Sequence, residues 1–300
     1  GPGIRMRLCR RGGMNVADLL HSGRPTLSFE IFPPKKNTNF PSVKKAAKDI
    51  AEIEPDFISI TYGASGGTSP LTRDLSLHVQ QQGVPALAHL TCVSSTKEEI
   101  YQELEGLQNS GIRSVLALRG DLPPGMKPED SKSYRYAAEL ISDIQDFGGF
   151  SVAAACYPEG HVESKNQRED LLHLKAKVDS GCDFLITQMF FDNAALYSFL
   201  YRTEKIGIDV PVIAGIMPVT NARQIKRILK LSGTTLPNRF RMILDRFGED
   251  PKAMKQAGIA YATEQIVDLI ANGVDGVHVY TMNKADVARR IAENLSEIIK

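Results

Sequence analysis

The chain has 300 residues, of which 42% are hydrophobic and 24% are charged, and it contains no Trp. Its 36 basic residues nearly balance its 35 acidic residues, which gives a net charge of +1 at pH 7. No overall electric field therefore attracts nucleic acid or an anionic membrane. No apolar run approaches the roughly 20 residues that a membrane-spanning helix requires. We expect a cytoplasmic protein without nucleic-acid or membrane partners.

The four cysteines lie far apart in the sequence, at positions 9, 92, 156 and 182. Because no CxxC pair occurs, their spacing supports neither a structural zinc site nor a redox-active dithiol. We expect buried, reduced thiols, as is usual in the cytosol, and no bound metal.

Eight short apolar runs recur along the chain, at residues 27–32, 57–61, 86–91, 114–118, 151–156, 184–187, 212–216 and 276–280. Segments with a helical pattern lie between them, including residues 43–53, 97–109, 136–147, 170–180, 194–206 and 222–231. Apolar strands that alternate with helices predict a parallel sheet with crossover helices. Eight such units favour closure into a single α/β domain, a TIM-type (β/α)8 barrel, for which about 250 residues are typical.

The step between the seventh and eighth runs is longer than the other steps and contains two further helical patterns, at residues 237–247 and 251–271. No Gly-, Ser- or Pro-rich linker divides the chain. We therefore interpret this segment as a helical insertion between strands seven and eight of one barrel domain, residues 14–300. Residues 1–13 are expected to form a flexible extension, either natural or left over from protein expression.

Polar residues follow the apolar runs, at the end of a barrel where active sites lie. The first is Glu30: alternation places Leu27, Phe29 and Ile31 towards the helices and aims Glu30 into the barrel mouth. Since burial raises the pKa of a carboxyl group towards a range useful for proton transfer, Glu30 is a candidate general acid. A structural ion pair between Glu30 and a barrel Arg or Lys is an equally good interpretation.

The segment 119–121, Arg-Gly-Asp, closes the fourth run. It could bind a ligand through its planar guanidinium and its close backbone, or it could form an internal salt bridge. No GxGxxG or GxxxxGK[ST] motif occurs, so no nucleotide is expected to bind through those loops.

A helix with a predicted capping box beginning at Ser164 covers residues 164–180. Asp170, His173 and Lys177 share one of its faces. That face could hold a diphosphate beside the barrel mouth, or it could simply be solvated.

Eight short motifs at the run ends resemble those of the bacterial methylenetetrahydrofolate reductases. They are SFEIFPP at 28–34, ITYGA at 60–64, AHLTC at 88–92, LRGD at 118–121, AACYPEGH at 154–161, ITQMFFD at 186–192, GIMPV at 215–219 and VYTMN at 279–283. The resemblance extends from about residue 14 to the C-terminus. All eight motifs in order are far more specific than any one of them.

The resemblance implies a barrel enzyme that reduces 5,10-methylenetetrahydrofolate to 5-methyltetrahydrofolate, using FAD and NADH or NADPH, in the one-carbon metabolism that feeds methionine synthesis. Glu30 matches the acid that promotes opening of the folate ring, and Asp121 matches an aspartate that stabilises the resulting cation. The implied cofactor contacts are Thr61, Tyr62, Ala64, His89, Arg119, Gly120, Asp121, Ala137, Tyr157, His161, Asp170, His173 and Lys177. The implied substrate contacts are Glu30, Asp121, Gln188, Gln224 and Lys284. A homo-oligomer is also expected.

Three departures from the family pattern stand out. On the helix that would bind FAD, His173 and Ala176 replace an Asn and an Arg, which removes one cation facing the diphosphate. Ile228 replaces an aromatic residue associated with the nicotinamide, and Lys284 replaces an Arg near the folate tail.

Three alternatives stay open. The same folate reaction could take its electrons from a partner redox protein. A lyase without flavin could use a Schiff base at Lys35 or Lys36. The chain could also be a subunit that only binds folate or flavin. Glu30 argues against this third alternative, because such a subunit has no need of a buried acid.

Overall fold

A computed structural model describes residues 13–35, 37–62, 70–131 and 133–299. Most of the predicted N-terminal extension and Ala64, a predicted cofactor contact, lie outside these ranges.

Eight parallel strands form a closed barrel in sequence order, and β1 pairs with β8 to complete it. The strands are β1 (Thr26–Ile31), β2 (Phe57–Ile60), β3 (Ala86–Thr91), β4 (Ser114–Leu118), β5 (Ser151–Cys156), β6 (Phe184–Thr187), β7 (Val212–Ile216) and β8 (Gly276–Tyr280). The predicted (β/α)8 barrel is confirmed.

Eleven helices lie in the described part of the chain, and each crossover between consecutive strands contains at least one of them. They are α1 (Val16–Leu19), α2 (Phe40–Ala51), α3 (Pro70–Gln81), α4 (Lys97–Asn109), α5 (Ala137–Phe147), α6 (Gln167–Asp179), α7 (Asn193–Lys205), α8 (Ala222–Ser232), α9 (Asn238–Phe247), α10 (Pro251–Ala271) and α11 (Ala285–Asn294). Short 3₁₀ turns cover Asn37–Asn39 and Pro128–Asp130. None of the described helices is long and apolar enough to span a bilayer.

The side chains of β1 alternate between the two faces of the barrel wall, as predicted. Leu27, Phe29 and Ile31 pack in the apolar layer between strands and helices, together with Ala47 and Ile50 of α2. The residues between them, Ser28 and Glu30, therefore point into the barrel.

The N-terminal end of the barrel is closed by α1. Val16 and Leu20 pack against the interior layer that contains Phe57 and Phe184. The backbone N–H of Val16 donates to Ser114 Oγ at 2.9 Å. Because α1 fills this end, we expect a ligand to enter at the opposite end, where the strands finish.

The predicted insertion consists of α9 and α10, which follow α8. Phe240 of α9 stacks on Phe191 at 5.2 Å and meets Tyr261 of α10 edge-on at 4.8 Å. A Cβ atom at Gly258 would overlap the carbonyl oxygen of Val219. This close contact fixes α10 against the loop that follows β7, on the side of the open end.

Candidate active site

A cavity of about 950 Å³ opens at the C-terminal ends of β2 to β5 and is bordered by α5 and α6. All twelve described residues that the family resemblance assigned to the cofactor line it; they are Thr61, Tyr62, His89, Arg119, Gly120, Asp121, Ala137, Tyr157, His161, Asp170, His173 and Lys177. The structure thus brings together residues from four strand ends and two helices. Their role in binding a cofactor stays a prediction.

The wall formed by α6 begins three residues later than the predicted capping box. Asn166 is the N-cap, and its side chain accepts a hydrogen bond from the backbone N–H of Glu169 at 2.9 Å. The prediction of Ser164 as the cap is wrong because Ser164 Oγ donates instead to Asp170 Oδ1 at 3.0 Å. The backbone N–H of His161 donates to the same oxygen at 3.1 Å, so Asp170 holds the β5–α6 loop against the helix.

Lys177, in the last turn of α6, directs its ammonium group into the cavity wall. Its Nζ donates to the carbonyl oxygen of Ala155 at 3.0 Å and lies 5.6 Å from the centre of the Tyr157 ring. Removal of the ammonium group from solvent lowers the pKa of Lys177. These contacts hold the Lys177 ammonium group at the wall of the cavity.

Arg119 and Gly120 connect β4 to the cavity rim. Arg119 Nη2 donates to both carboxylate oxygens of Glu163, each at 2.9 Å, across the mouth of the cavity. Gly120 has a φ of +88°, and a Cβ atom there would approach Val93 Cγ1 to 3.1 Å. Only glycine fits this tight turn without strain. Asp121 follows at an exposed position on the same rim.

Glu30 lies inside the barrel mouth, among polar groups from three other strands. Ser59 Oγ donates to Glu30 Oε1 at 3.1 Å. His89 Nε2 and His278 Nε2 lie 3.4 Å and 3.8 Å from the same oxygen. The alternative of an ion pair with a barrel Arg or Lys is not found in the described structure, where the basic neighbours of Glu30 are imidazoles.

The expectation of a raised pKa for Glu30 is wrong for the protein without ligand. Burial does raise the pKa, but the neighbouring imidazoles of His278 and His89 outweigh it and lower the pKa below its ordinary value. His89 lies in β3 and His278 in β8. The sequence around Glu30 in β1 therefore could not predict that these two imidazoles would be its neighbours.

Two residues of this cluster were missed by the sequence interpretation: Ser59 and His278. The alternation within β8 could have found His278, because it is a polar residue between Val277 and Val279, which point outward to the helices, so its own side chain points into the barrel. Tyr280, two residues later, donates from its hydroxyl to the carbonyl oxygen of Thr187 at 2.7 Å. Burial raises the pKa of Tyr280 well above its ordinary value, so this phenol remains neutral.

The remaining predicted substrate contacts follow the strands on the other side of the open end. Gln188 follows β6, Gln224 lies in the first turn of α8, and Lys284 follows β8. Lys284 Nζ donates to Thr220 Oγ1 at 2.9 Å, which joins the loops after β7 and β8. None of these three residues lines the large cavity. They and Glu30 thus belong to the part of the barrel mouth formed by β6, β7, β8 and β1.

The departures from the family pattern occupy defined places. Ala176 lines the cavity but carries no charge. His173 stacks with Tyr136 at 6.4 Å between ring centres, and its Nε2 lies 3.8 Å from Glu169 Oε1. Ile228 is half-buried in α8.

The described residues contain no group of three or more His, Cys, Asp or Glu side chains placed to hold a metal ion. Cys92, Cys156 and Cys182 are buried free thiols. Burial raises the pKa of Cys92 and of Cys182 to about 12, so neither is a thiolate near neutral pH.

Comparison with known proteins relates this architecture to one family. The profile of the methylenetetrahydrofolate reductase family matches residues 15–296. The 5,10-methylenetetrahydrofolate reductases of Pectobacterium carotovorum and Escherichia coli are each 34% identical to the chain, over 287 and 288 residues. The matches cover 95% of this chain in both cases, and 95% and 96% of the relatives. A plant relative, methylenetetrahydrofolate reductase (NADH) 1 of Arabidopsis thaliana, is 32% identical, and the match covers 51% of its length.

Among solved structures, a Clostridium thermocellum protein that binds two copies of 5-methyl-5,6,7,8-tetrahydrofolic acid is similar, with a TM-score of 0.69. The match covers 95% of this chain and 100% of that one, but only 15% of residues are identical, so this likeness concerns the fold alone. The family profile and the bacterial relatives decide the assignment, because both extend over almost the whole barrel. The chain is a member of the methylenetetrahydrofolate reductase family.

Proposed function

We propose that the protein reduces 5,10-methylenetetrahydrofolate to 5-methyltetrahydrofolate, with electrons that pass from a nicotinamide nucleotide through bound FAD. The product would supply methyl groups for methionine synthesis. The observation that carries this proposal is the position of the Glu30 carboxylate. It lies in the barrel mouth within 3.4 Å of His89, which lines the large cavity. A reductase of this substrate needs a cavity for its cofactor and, beside it, an acid that protonates the folate ring as it opens.

The cavity fits FAD in size and in chemistry. Its volume of about 950 Å³ lies near the upper end of the roughly 300–1,000 Å³ typical of ligand pockets, as an extended dinucleotide needs. Arg119 and Lys177 are the cations that would face the diphosphate. His89 lines the cavity and turns its Nε2 towards Glu30 Oε1, 3.4 Å away, so its ring lies between the cavity and the carboxylate. When bound, FAD would supply the hydride transfer.

Glu30 and Asp121 would carry the folate chemistry. Opening the five-membered ring requires a proton on the departing nitrogen, and Glu30 is the buried carboxyl group at the barrel mouth. The N5 iminium that results is a cation, which the Asp121 carboxylate on the cavity rim can stabilise. Because the neighbouring imidazoles lower the pKa of Glu30, its carboxyl group must gain a proton before it can act as the acid.

NADH is the proposed donor in preference to NADPH. Among the described residues that line the cavity, the Lys and Arg side chains are Arg119 and Lys177, which the diphosphate would occupy, and a 2′-phosphate needs a further basic cluster. The half-buried Ile228, in place of an aromatic residue, keeps a partner redox protein as the second candidate donor. A Schiff-base lyase has less support, since Lys35 is exposed beyond β1 and Lys36 lies outside the described residues.

The test begins with the purified protein. It should be yellow, and chromatography of the supernatant after denaturation should identify FAD. NADH should bleach the flavin anaerobically, and 5,10-methylenetetrahydrofolate should then restore the colour and yield 5-methyltetrahydrofolate. FMN or no flavin would refute the cofactor. Bleaching by an artificial dye but by neither NADH nor NADPH would favour the partner-protein donor.

A further inference from the structure

A chain of buried polar groups runs from Glu30 into the interior of the barrel. Ser59 Oγ lies 3.1 Å from Glu30 Oε1 and 2.9 Å from His278 Nε2. On the other side of the imidazole, His278 Nδ1 lies 2.7 Å from Ser28 Oγ. The pairing of strands explains this order, because Glu30 is the cross-strand partner of Ser59, and Ser28 is that of His278.

These groups are shielded from solvent on all sides except that of Glu30. Ser28, Ser59 and His278 are each 0% exposed. The His278 ring stacks on Phe57 at 5.6 Å with an interplanar angle of 13°, and Tyr280 meets its edge. A buried imidazole is costly unless its nitrogens are bonded, and an apolar side chain could fill the same space. Packing alone therefore does not account for a histidine at this position.

The count of donors fits a charged imidazole. Each serine has one hydroxyl proton. Ser59 uses its proton towards Glu30, so it must accept from Nε2–H of His278. Ser28 Oγ lies 3.4 Å from the carbonyl oxygen of Val277 and 2.7 Å from Nδ1, so it accepts from Nδ1–H when its own proton points to Val277. In that arrangement both ring nitrogens carry protons, and the resulting imidazolium faces an ionised Glu30.

We propose that Ser59 and His278 are positioning residues of a proton relay, in which His278 stores the proton that Glu30 delivers to the substrate. The delivery to folate rests on the function proposed above, whereas the buried relay itself does not. The titratable groups that face this chain from other strands are Tyr280, which stays neutral, and His89, which contacts Glu30 from β3.

The transfer is balanced in protons and charge. The Nε2 proton of His278 moves to Ser59 Oγ while the hydroxyl proton of Ser59 moves to Glu30 Oε1. Ser59 remains a hydroxyl, His278 becomes neutral with its proton on Nδ1, and Glu30 becomes a neutral acid. Glu30 then protonates the departing ring nitrogen as the C–N bond breaks, which leaves a carboxylate and an iminium that the hydride neutralises. One proton from solvent restores His278 in each turnover.

The storage of the proton is tested by ¹⁵N NMR of His278 in the intact flavoprotein near neutral pH. The relay predicts imidazolium signals in the native protein and a neutral imidazole in Glu30→Gln, because loss of the carboxylate leaves a buried cation unpaired. A neutral His278 in the native protein, or a charged one in both proteins, would overturn the proposal. This readout does not depend on turnover of folate.

The delivery of the proton is tested with Ser59→Ala. Reoxidation of the reduced flavin by methylenetetrahydrofolate should slow by at least about tenfold, at the low end of what a positioned proton donor contributes. Flavin reduction by NADH should keep the native rate, and Ser59→Thr, which restores a hydroxyl, should recover most of the loss. Ser151→Ala removes an equally buried hydroxyl at the closed end of the barrel and serves as control.

Unchanged reoxidation in Ser59→Ala, or equal slowing of both half-reactions, would contradict the relay. If the native protein does not react with methylenetetrahydrofolate at all, the proposed function fails, and the NMR measurement alone then decides whether the buried relay exists.

Discussion

His89 Nε2 lies 3.4 Å from Glu30 Oε1, so one side chain of the large cavity contacts the carboxylate at the barrel mouth. The two groups come from β1 and β3, which are separated by β2 in the barrel. This contact makes the proposed cofactor cavity and the proposed acid neighbours in space. A hydride donor in the cavity and a folate ring against Glu30 could therefore react across a short distance.

Ala176→Arg should strengthen the binding of FAD. Ala176 lines the cavity without a charge, and an arginine there would add a cation beside the diphosphate. A partly exposed ion pair contributes up to about 1 kcal/mol, so we expect roughly a fivefold lower dissociation constant. Flavin fluorescence during titration of the apoprotein measures this. Leu172→Arg adds the same charge to the solvent side of α6 and should have little effect; equal gains in both variants would contradict a local contact.

Asp121→Asn should slow the reaction with methylenetetrahydrofolate less than Glu30→Gln does. Asp121 lies on the rim and would stabilise the cation without transferring a proton, so its loss removes charge stabilisation alone. Flavin content should be unchanged, because an amide fills the same space. Stopped-flow reoxidation of the reduced flavin compares the two variants. A larger loss in Asp121→Asn than in Glu30→Gln would reverse the roles assigned to the two carboxylates.

Glu30 should make stability depend on pH in acid. Its pKa in the folded protein is lowered from an ordinary value of 4.5. A lowered carboxyl pKa contributes stability above the unfolded pKa, and that contribution is lost as the pH falls towards the folded pKa. The difference in unfolding free energy between the native protein and Glu30→Gln should thus shrink as the pH falls below about 4.5. Urea unfolding at several pH values measures it, and a difference that grows in acid would contradict the lowered pKa.

The alternation and spacing of apolar residues were sufficient to predict the barrel. Six of the eight predicted strands have the observed bounds, and the predicted faces of Leu27 and Glu30 in β1 are those observed. These features depend on neighbours along the chain. The start of α6 also depends on local contacts, but Ser164 and Asn166 are both good capping residues, and the attraction of Ser164 to Asp170 decides between them.

The environment of Glu30 could not be predicted in the same way. The sign of its pKa shift depends on His89 and His278, which are 59 and 248 residues away in the sequence and meet it only because the barrel closes. Burial alone predicts a raised pKa, and the two imidazoles reverse it. The cofactor cavity is likewise assembled from four strand ends, and the family resemblance, rather than any single motif, named its residues.

The most direct test of the account separates the two half-reactions of Glu30→Gln. The variant should keep near-native FAD content and near-native flavin reduction by NADH, because neither FAD binding nor flavin reduction involves protonation of folate. Anaerobic reoxidation of its reduced flavin by methylenetetrahydrofolate should fall by about 10²- to 10⁴-fold, the usual contribution of a positioned general acid. Equal slowing of both half-reactions, together with a marked drop in melting temperature at neutral pH, would show that Glu30 is structural and would contradict the account.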